Sequence, residues 1–217
     1  MKHRAVIFDL WQTLVPWPTD SANEMYGRLI ETWGADHEAF HELWHGRRRE
    51  RETGPIEPHL RSIAQALDLR GDVELVMTIR RDWTLEALVP RPDAVSTLEE
   101  LRRRGHKLGM ISACSQDVPE VWERTPFATL FDSAVFSCSV GFSKPDPEIY
   151  ALAAKELGVE PAECLFVGDG ANDELPGAER AGMTAIQLRA PGERLTPEGE
   201  RWTGRYVARV SDVLELA

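Results

Sequence analysis

From residue 91 onward, short apolar runs alternate with longer segments in which apolar residues recur at helical spacing. This alternation is typical of βαβ units built around a parallel sheet. The predicted strands are residues 4–8, 107–111, 133–136, 164–167 and 184–188. The predicted helices are residues 94–104, 147–157 and 174–181, and a glycine follows each of them. The pattern therefore predicts an α/β fold with at least five parallel strands.

Residues 15–90 interrupt this alternation. Prolines bracket the segment, with Pro16 and Pro18 at its start and Pro90 and Pro92 at its end. Between them, apolar residues recur at the three- and four-residue spacing of a helix face. Two such faces are Met25, Leu29, Ile30 and Trp33, and Leu60, Ile63, Ala64 and Leu67. We therefore expect an all-helical insert that directly follows the first strand and lies over the strand ends.

Polar residues stand where the predicted strands end. Asp9 and Thr13 follow the first strand, Ser112 the second, Lys144 lies after the third, and "GDGANDE" (168–174) follows the fourth. Taken singly, each has an ordinary explanation as a turn former, a loop cap or a solvated charge. Together, a carboxylate nucleophile, a hydroxyl and an ammonium for a phosphoryl group, and further carboxylates for Mg²⁺ make a complete phosphoryl-transfer site.

Composition and charge narrow the choice of partners. The 217 residues are 42% hydrophobic and carry a net charge of -11, which argues against a nucleic-acid partner. Cys114, Cys138 and Cys164 form neither a metal pattern nor a disulfide framework, so we expect a reducing, cytoplasmic location. The start of the chain leads straight into a strand, so we expect neither a signal peptide nor a membrane span.

The order "FDLWQTL", "GMISA", "GFSKPDPEIY" and "FVGDGANDELPGAERAGM" resembles the haloacid dehalogenase-like hydrolase superfamily over nearly the whole chain. The resemblance implies a doubly wound Rossmann-like core, residues 1–14 and 91–217, with a helical cap, residues 15–90. It implies that Asp9 attacks the substrate and forms a covalent aspartyl intermediate. It also implies that Asp169 helps to hold magnesium, and that Ser112 and Lys144 bind the transferring group.

The acidic residues support a Mg²⁺ cofactor on physical grounds. Converging carboxylates raise one another's pKa values unless a divalent cation and Lys144 offset their charge. Asp9 and Asp169 are two of the expected ligands, and either Asp173 or Glu174 is a third. We prefer Asp173 because its shorter side chain directly follows the turn. The alternative of a calcium loop lacks the alternating spacing and distal glutamate of an EF-hand.

Trp11 departs from the pattern of the family's phosphatases, which usually place an aspartate two positions after the nucleophile. That aspartate protonates the leaving oxygen and then activates water, and an indole does neither. The backbone carbonyl of Trp11 still offers a magnesium ligand, because it does not depend on the side chain. General acid/base catalysis contributes typically ~10²- to 10⁴-fold, so we expect a slow site, with Trp11 and Ala113 beside the substrate.

The insert carries a basic run, "WHGRRRERETG" (44–54). One interpretation is a solvated helix face paired with Glu50 and Glu52. The other is that one arginine, Arg47 being our choice, reaches into the site and binds an anionic substrate tail. The nearby stripe His37, His41 and His45 has zinc-like spacing but no completing ligand, which favours a partly exposed helix face.

Three functions remain open. The first is a magnesium-dependent hydrolase that acts on a small phosphorylated metabolite. The second is a metal-free 2-haloacid dehalogenase, a branch that resembles this chain in having an aromatic residue at the Trp11 position. Two features count against this branch. Ala113 stands at the position where the resemblance to dehalogenases implies an asparagine, and the chain retains Asp169 and Asp173. The third is a catalytically impaired anion-binding protein, which would follow if Trp11 fills the pocket.

Overall fold

The computed structural model describes residues 3–217, so the first two residues of the predicted core lie outside the described part. Its strands are β1 Ala5–Phe8, β2 Lys107–Ser112, β3 Ser133–Phe136, β4 Cys164–Gly168, β5 Thr184–Leu188 and β6 Tyr206–Val207. They form one sheet in the order β3-β2-β1-β4-β5-β6, and every neighbouring pair is parallel. The predicted α/β Rossmann-like fold with a parallel sheet is confirmed.

The central position of β1 explains its unbroken apolar sequence. Successive side chains of a strand point to opposite faces, and a parallel sheet is covered by helices on both. Val6 and Phe8 pack into the apolar cluster on one face, whereas Ala5 and Ile7 pack into the cluster on the other. All four side chains are fully buried, so an alternating polar position would place an unpaired polar group in the core.

Helices cover both faces of this sheet and also build the segment between β1 and β2. Before β2 lie α1 Thr19–Trp33, α2 His37–Gly46, α3 Arg48–Glu52, α4 Ile56–Ala66, α5 Val73–Ala87 and α6 Ala94–Arg103. After β2 lie α7 Asp117–Val121, α8 Ser137–Val140, α9 Pro147–Leu157, α10 Glu174–Arg180 and α11 Pro197–Arg201. In residues 3–217, no helix combines the length and the apolar character that crossing a membrane requires.

Helices α1 to α5 form a unit with its own apolar cluster, which we call the insert. Leu29, Trp44, Leu60 and Val76, one from each of the four longer helices, are all buried in that cluster. The chain enters and leaves the insert at one point, because the Arg91 backbone N-H donates to the Leu14 carbonyl at 2.8 Å. The same arginine side chain donates to the carbonyls of Gln12 and Thr13. The insert is therefore anchored beside the end of β1.

Candidate active site

Three strands deliver buried polar side chains to one edge of the sheet. Asp9 directly follows β1, Ser112 is the last residue of β2, and Asp169 directly follows β4. All three are buried, as is Thr13 in the loop after Asp9. Because parallel strands point the same way, their carboxyl ends meet at one edge, where ligands of such sheets bind. The residues singled out at the strand ends therefore lie together.

A buried cluster of carboxylates occupies this edge. Asp9, Asp169 and Glu174 each offer an oxygen, and these oxygens all lie within 4.8 Å of one another. Lys144 lies among them: its ammonium donates to Asp9 Oδ1, to Glu174 Oε2 at 2.6 Å and to the Ile111 carbonyl at 3.2 Å. One ammonium thus balances one of three carboxylates, and the excess charge of the cluster is negative.

The acids of this cluster bind protons more tightly than exposed acids do. Burial, which disfavours their charged forms, raises the pKa of Asp9 and of Asp169 to about 6 and that of Glu174 to about 7. Burial would lower the pKa of Lys144, but the charges of Asp9 and Glu174 outweigh it and raise that pKa. The ammonium is therefore charged at neutral pH. One ammonium does not offset the negative charge of three carboxylates, and a bound cation would neutralise the excess.

The donor set fits a magnesium ion. Mg²⁺ prefers hard oxygen ligands from few side chains and keeps several waters. The three carboxylates supply such oxygens, and a divalent charge offsets the repulsion that raises their pKa values. Among residues 3–217 this is the grouping of acid, histidine and cysteine side chains that is close enough to hold an ion.

The Ser112 hydroxyl and the Lys144 ammonium lie at the same edge and would attract a tetrahedral anion. The Ser112 hydroxyl is fully buried and has no hydrogen-bond partner within the described part of the chain. A buried hydroxyl without a partner is costly, so it favours a ligand that accepts its hydrogen bond. It provides a free donor beside Asp9 for a phosphoryl or carboxylate oxygen, and Lys144, whose three N-H groups already donate to Asp9, Glu174 and the Ile111 carbonyl, adds its positive charge.

A cavity of about 290 Å³ lies between the strand ends and the insert. Asp9, Lys144 and Ala113 line it from the sheet, while Arg51 and Arg80 line it from the insert. Aromatic rings complete the lining: Trp11, Trp17, Tyr26, Trp44 and Trp83. The candidate nucleophile therefore faces an enclosed space that is acidic at the sheet and basic at the insert.

Comparison with known proteins decides the family. The family model described as "haloacid dehalogenase-like hydrolase" matches residues 3–182. The chain belongs to the haloacid dehalogenase-like hydrolases. It is therefore a hydrolase, and the resemblance seen in its four motifs is confirmed.

Relatives named as phosphatases and relatives named as dehalogenases both match this chain. A glyceraldehyde 3-phosphate phosphatase of Methanopyrus kandleri is 30% identical over 86% of this chain and 84% of its own. An (S)-2-haloacid dehalogenase 4A of Burkholderia cepacia is 28% identical over 87% and 84%. The structure of the HAD phosphatase from Thermococcus onnurineus matches the fold with a TM-score of 0.70 at 24% identity, over 98% of this chain and 97% of that one.

In this hydrolase, Glu174 rather than Asp173 joins the carboxylate cluster. Asp173 has a left-handed backbone, φ 53°, and its 55% exposed side chain points to Arg201 at 3.4 Å. Glu174 begins α10 and accepts from the Gly170 N-H at 2.9 Å. A Cβ at Gly168 would lie 2.0 Å from Glu174 Oε1, so the glycine makes room for the carboxylate. The structure thus does not bring Asp173 to the place that the sequence analysis gave it.

Arg47 also lies elsewhere than expected. Its guanidinium donates to Ser62 Oγ at 2.9 Å, within the insert, and it does not line the cavity. Arg51, four residues on, and Arg80 of α5 line the cavity instead. The histidine stripe is exposed at His41 and His45, whose Nε2 atoms lie 3.1 Å apart, and it joins no metal-sized cluster in the described residues.

Arg80 is a site residue that the sequence analysis missed. A signal was present, because Arg80 lies four residues after Val76 and three before Trp83, both of which belong to the buried face of α5. A charged residue at a core position of an amphipathic helix is rarely buried without a partner or a function. Here that partner is Asp117 of α7, whose carboxylate oxygens accept from Arg80 at 2.9 and 3.0 Å.

Proposed function

We propose that this hydrolase is a magnesium-dependent phosphatase of a small phosphorylated metabolite, with Asp9 as the nucleophile. The observation that carries the proposal is the buried group of Asp9, Asp169 and Glu174 with Lys144 among them. Three buried acids are costly in a site that works without a metal. Relatives named as phosphatases add support, and two of them are named for glyceraldehyde 3-phosphate.

In the proposed reaction, an oxygen of Asp9 attacks phosphorus and the ester bond to the leaving oxygen breaks. Lys144 already donates to Oδ1, so Oδ2 is the oxygen left for attack. Lys144 and the unpartnered hydroxyl of Ser112 bind the oxygens of the transferring group, and water then hydrolyses the aspartyl-phosphate. A bound Mg²⁺, held by Asp9, Asp169, Glu174 and the carbonyl of Trp11, would offset the negative charge of the phosphoryl group.

The insert is proposed to be a cap over this site. Residues 15–90 would exclude water from the cavity, which strengthens the electrostatic contacts to the phosphoryl group. Trp11, Trp17 and Trp83 form an apolar part of the cavity wall, and Ala113 lines the cavity from the core. A cavity of about 290 Å³ remains beside Trp11, which favours a catalyst over a protein whose pocket is filled by its own indole.

Halide displacement from a 2-haloacid is the second candidate. It is favoured by the likeness to an (S)-2-haloacid dehalogenase and by the indole of Trp11, since a halide leaves without a proton. The acid density at Asp9, Asp169 and Glu174 weighs against it, because a reaction without a metal leaves these three buried acids with one ammonium, Lys144, to offset their charge.

The test is turnover of an aryl phosphate and of a 2-haloacid, each with Mg²⁺ and with a chelator. We expect aryl-phosphate hydrolysis that requires Mg²⁺ and disappears in Asp9→Asn, because an amide is no nucleophile and a poorer hard ligand. Asp20→Asn, an exposed aspartate of α1, is the matched control and should retain activity. Chelator-resistant phosphate or halide release would overturn the proposal.

A further inference from the structure

Two buried guanidinium groups enter the cavity from the insert. Arg51 and Arg80 both lie against the ring of Trp44, and we call these three residues the arginine wall. We propose that the arginine wall binds a second anionic group of the substrate. On the proposed function, the substrate is then a phosphate monoester that also carries a carboxylate or a second phosphate.

Arg51 forms no ion pair with an acid within residues 3–217. Its side chain is buried, with 6% of its surface exposed, and it makes one hydrogen bond, from Nη1 to the Trp44 carbonyl at 2.6 Å. Glu52, the neighbouring acid, pairs with Arg48 instead. Burial and the adjacent charge of Arg80 lower the pKa of Arg51 to about 10, so it remains charged at neutral pH. A buried charge with one neutral partner is costly, and an anionic ligand would remove that cost.

Arg80 is only partly satisfied. Its Nη2 donates to Ser115 Oγ at 2.8 Å and to both carboxylate oxygens of Asp117, but its buried Nε has no partner in the described residues. The guanidinium carbon lies 4.8 Å from the centre of the Trp44 ring. A guanidinium offers donors in a planar fork, which suits carboxylate and phosphate oxygens.

The charges around the wall favour an anion. Three guanidinium groups, Arg48, Arg51 and Arg80, and two carboxylates, Glu52 and Asp117, line this side of the cavity, which leaves one positive charge in excess. Behind them lies His59, whose pKa is lowered to about 4 by burial and then by the charge of Arg51. The field at the wall is therefore positive.

The opposite sign at the sheet orients the substrate. An anionic tail is repelled by Asp9, Asp169 and Glu174 but attracted by Arg51 and Arg80. The phosphoryl group is bound by Lys144 and Ser112, so the tail reaches the arginine wall across the cavity. At about 290 Å³, that cavity suits a compact substrate of a few carbons.

Three substrates that share a three-carbon skeleton test this directly. At carbon 1, 3-phosphoglycerate has a carboxylate, glyceraldehyde 3-phosphate an aldehyde and glycerol 3-phosphate a hydroxymethyl group. We expect kcat/KM for the carboxylate to exceed that for either neutral group by roughly 10- to 100-fold, which is the usual effect of a charge-assisted hydrogen bond. A comparison of kcat/KM for propane-1,3-diol bisphosphate with kcat/KM for propane-1,3-diol monophosphate shows whether a second phosphate can take the place of the carboxylate. Equal kcat/KM across both comparisons would overturn the proposal.

A charge-removing variant localises the effect. Arg51→Met keeps the apolar stem, and we expect it to abolish the preference for 3-phosphoglycerate over glycerol 3-phosphate. Arg51→Lys keeps the charge and should retain part of the preference. Arg61→Met, which removes an exposed arginine paired with Glu57, is the matched control and should retain all of it. An unchanged preference in folded Arg51→Met would refute the role of Arg51.

A binding measurement separates this proposal from the phosphatase assignment. Calorimetry with malonate, a small dicarboxylate that is not turned over, should show binding to the wild type and to Arg61→Met but about tenfold or more weaker binding to Arg51→Met. If no phosphate ester is hydrolysed but this pattern holds, the proposed function fails and the arginine wall stands. The proposed role of the arginine wall is refuted if malonate binds neither the wild type nor the variants. It is also refuted if malonate binds Arg51→Met as tightly as the wild type.

Discussion

The indole of Trp11 packs against the insert. Its ring stacks on Trp83 of α5, with the ring centres 6.0 Å apart and 15° between the planes, and meets the edge of Trp17 at 5.2 Å. Trp83 in turn donates to Ser21 of α1 at 3.2 Å. The side chain two positions after Asp9 thus forms a contact between the loop after β1 and the insert.

The dependence of the hydrolysis rate on the leaving group tests whether the site with Trp11 lacks a general acid. We expect the wild type to hydrolyse aryl and acyl phosphates far better than alkyl phosphates, whose departing alkoxide needs a proton. Trp11→Asp should raise alkyl-phosphate turnover by up to ~10²- to 10⁴-fold. The gain will be smaller if loss of the indole loosens the insert. The measurement is kcat/KM for a series of esters with leaving groups of different pKa.

Trp11→Phe is the matched control for that series. It keeps an aromatic ring beside Trp83 but supplies no proton, so the ratio of aryl to alkyl turnover should stay near that of the wild type. A folded, magnesium-binding Trp11→Asp variant with the same ratio as wild type would show that another residue already donates the proton.

Individual residues were predictable only where the local pattern determines their place. Asp9 and Ser112 follow buried strands, so sequence alone predicted the edge at which they lie. The choice between Asp173 and Glu174 depends on a left-handed turn and on the room left by Gly168, which the sequence pattern does not show. Likewise, Arg47 and Arg51 lie in one basic run, and tertiary packing decides which reaches the cavity.

At the scale of elements, a buried ion pair is among the contacts that join the insert to the core. Helix α5 packs against α7, and the buried pair Arg80–Asp117 with Ser115 and Thr84 connects the two helices. Thr84 donates to Asp117 Oδ2 at 2.5 Å. Since a pair of this kind is costly to break, movement of the insert should be confined to helices outside this contact.

Ligand binding should protect those helices. With Mg²⁺ and a phosphate analogue bound, we expect slower amide hydrogen exchange in the insert, including α4, because closure over the cavity excludes water. Helix α6, which packs in the apolar cluster of the core through Leu98 and Leu101 and does not line the cavity, serves as the internal reference and should change little. Unchanged exchange throughout residues 17–89, with ligand demonstrably bound, would contradict a cap that closes.

Most elements of the core were predictable because each has a strong pattern. Strands buried on both faces read as continuous apolar runs, and α9 ends at Gly158, whose φ of 64° few other residues adopt readily. Strand β6 was missed, since it has two residues and its Tyr206 is 60% exposed. Such a short edge strand forms only because β5 is already present as a template.

At the scale of the whole molecule, acid dominates both the total charge and the site. The net charge is -11, and three acids with raised pKa values share the strand-end edge. These acids bind protons more tightly in the folded state than in the unfolded chain. The folded state therefore loses stability as the pH rises from their unfolded-state pKa values to their folded-state pKa values. For Asp9, Asp169 and Glu174, that range runs from about 4 to about 7.

A divalent cation should reverse this loss. We expect Mg²⁺ at roughly 100 times its Kd to stabilise the protein by ~2.7 kcal/mol, which corresponds to a Tm increase of roughly 5 to 10 °C at this size. The increase should be larger at about pH 8 than at about pH 5.5, because at low pH protons compete for the same oxygens. Thermal unfolding of the wild type and of Asp169→Asn, with Asp20→Asn as control, measures it.

The same Tm increase in Asp169→Asn as in the wild type, or no dependence on pH, would show that Mg²⁺ binds elsewhere. The fold and the convergence of acids with Lys144 were predictable from the sequence, but the burial that dominates their pKa values was not. It depends on residues far apart in sequence, such as Asp9, Lys144 and Glu174, whose burial and spacing only the assembled sheet defines.

The position of β1 in the sheet also sets the order in which a growing chain could become active. Ala5 pairs with Lys107 on one side and with Cys164 on the other, so β1 is synthesised before both of its neighbours and gains the second one only after β4 has emerged. The buried residues of the insert's own apolar cluster lie within residues 22–87, so they are all synthesised long before that point. A nascent chain on the ribosome would therefore carry the insert and the proposed nucleophile, Asp9, without a complete site until Glu174 has emerged.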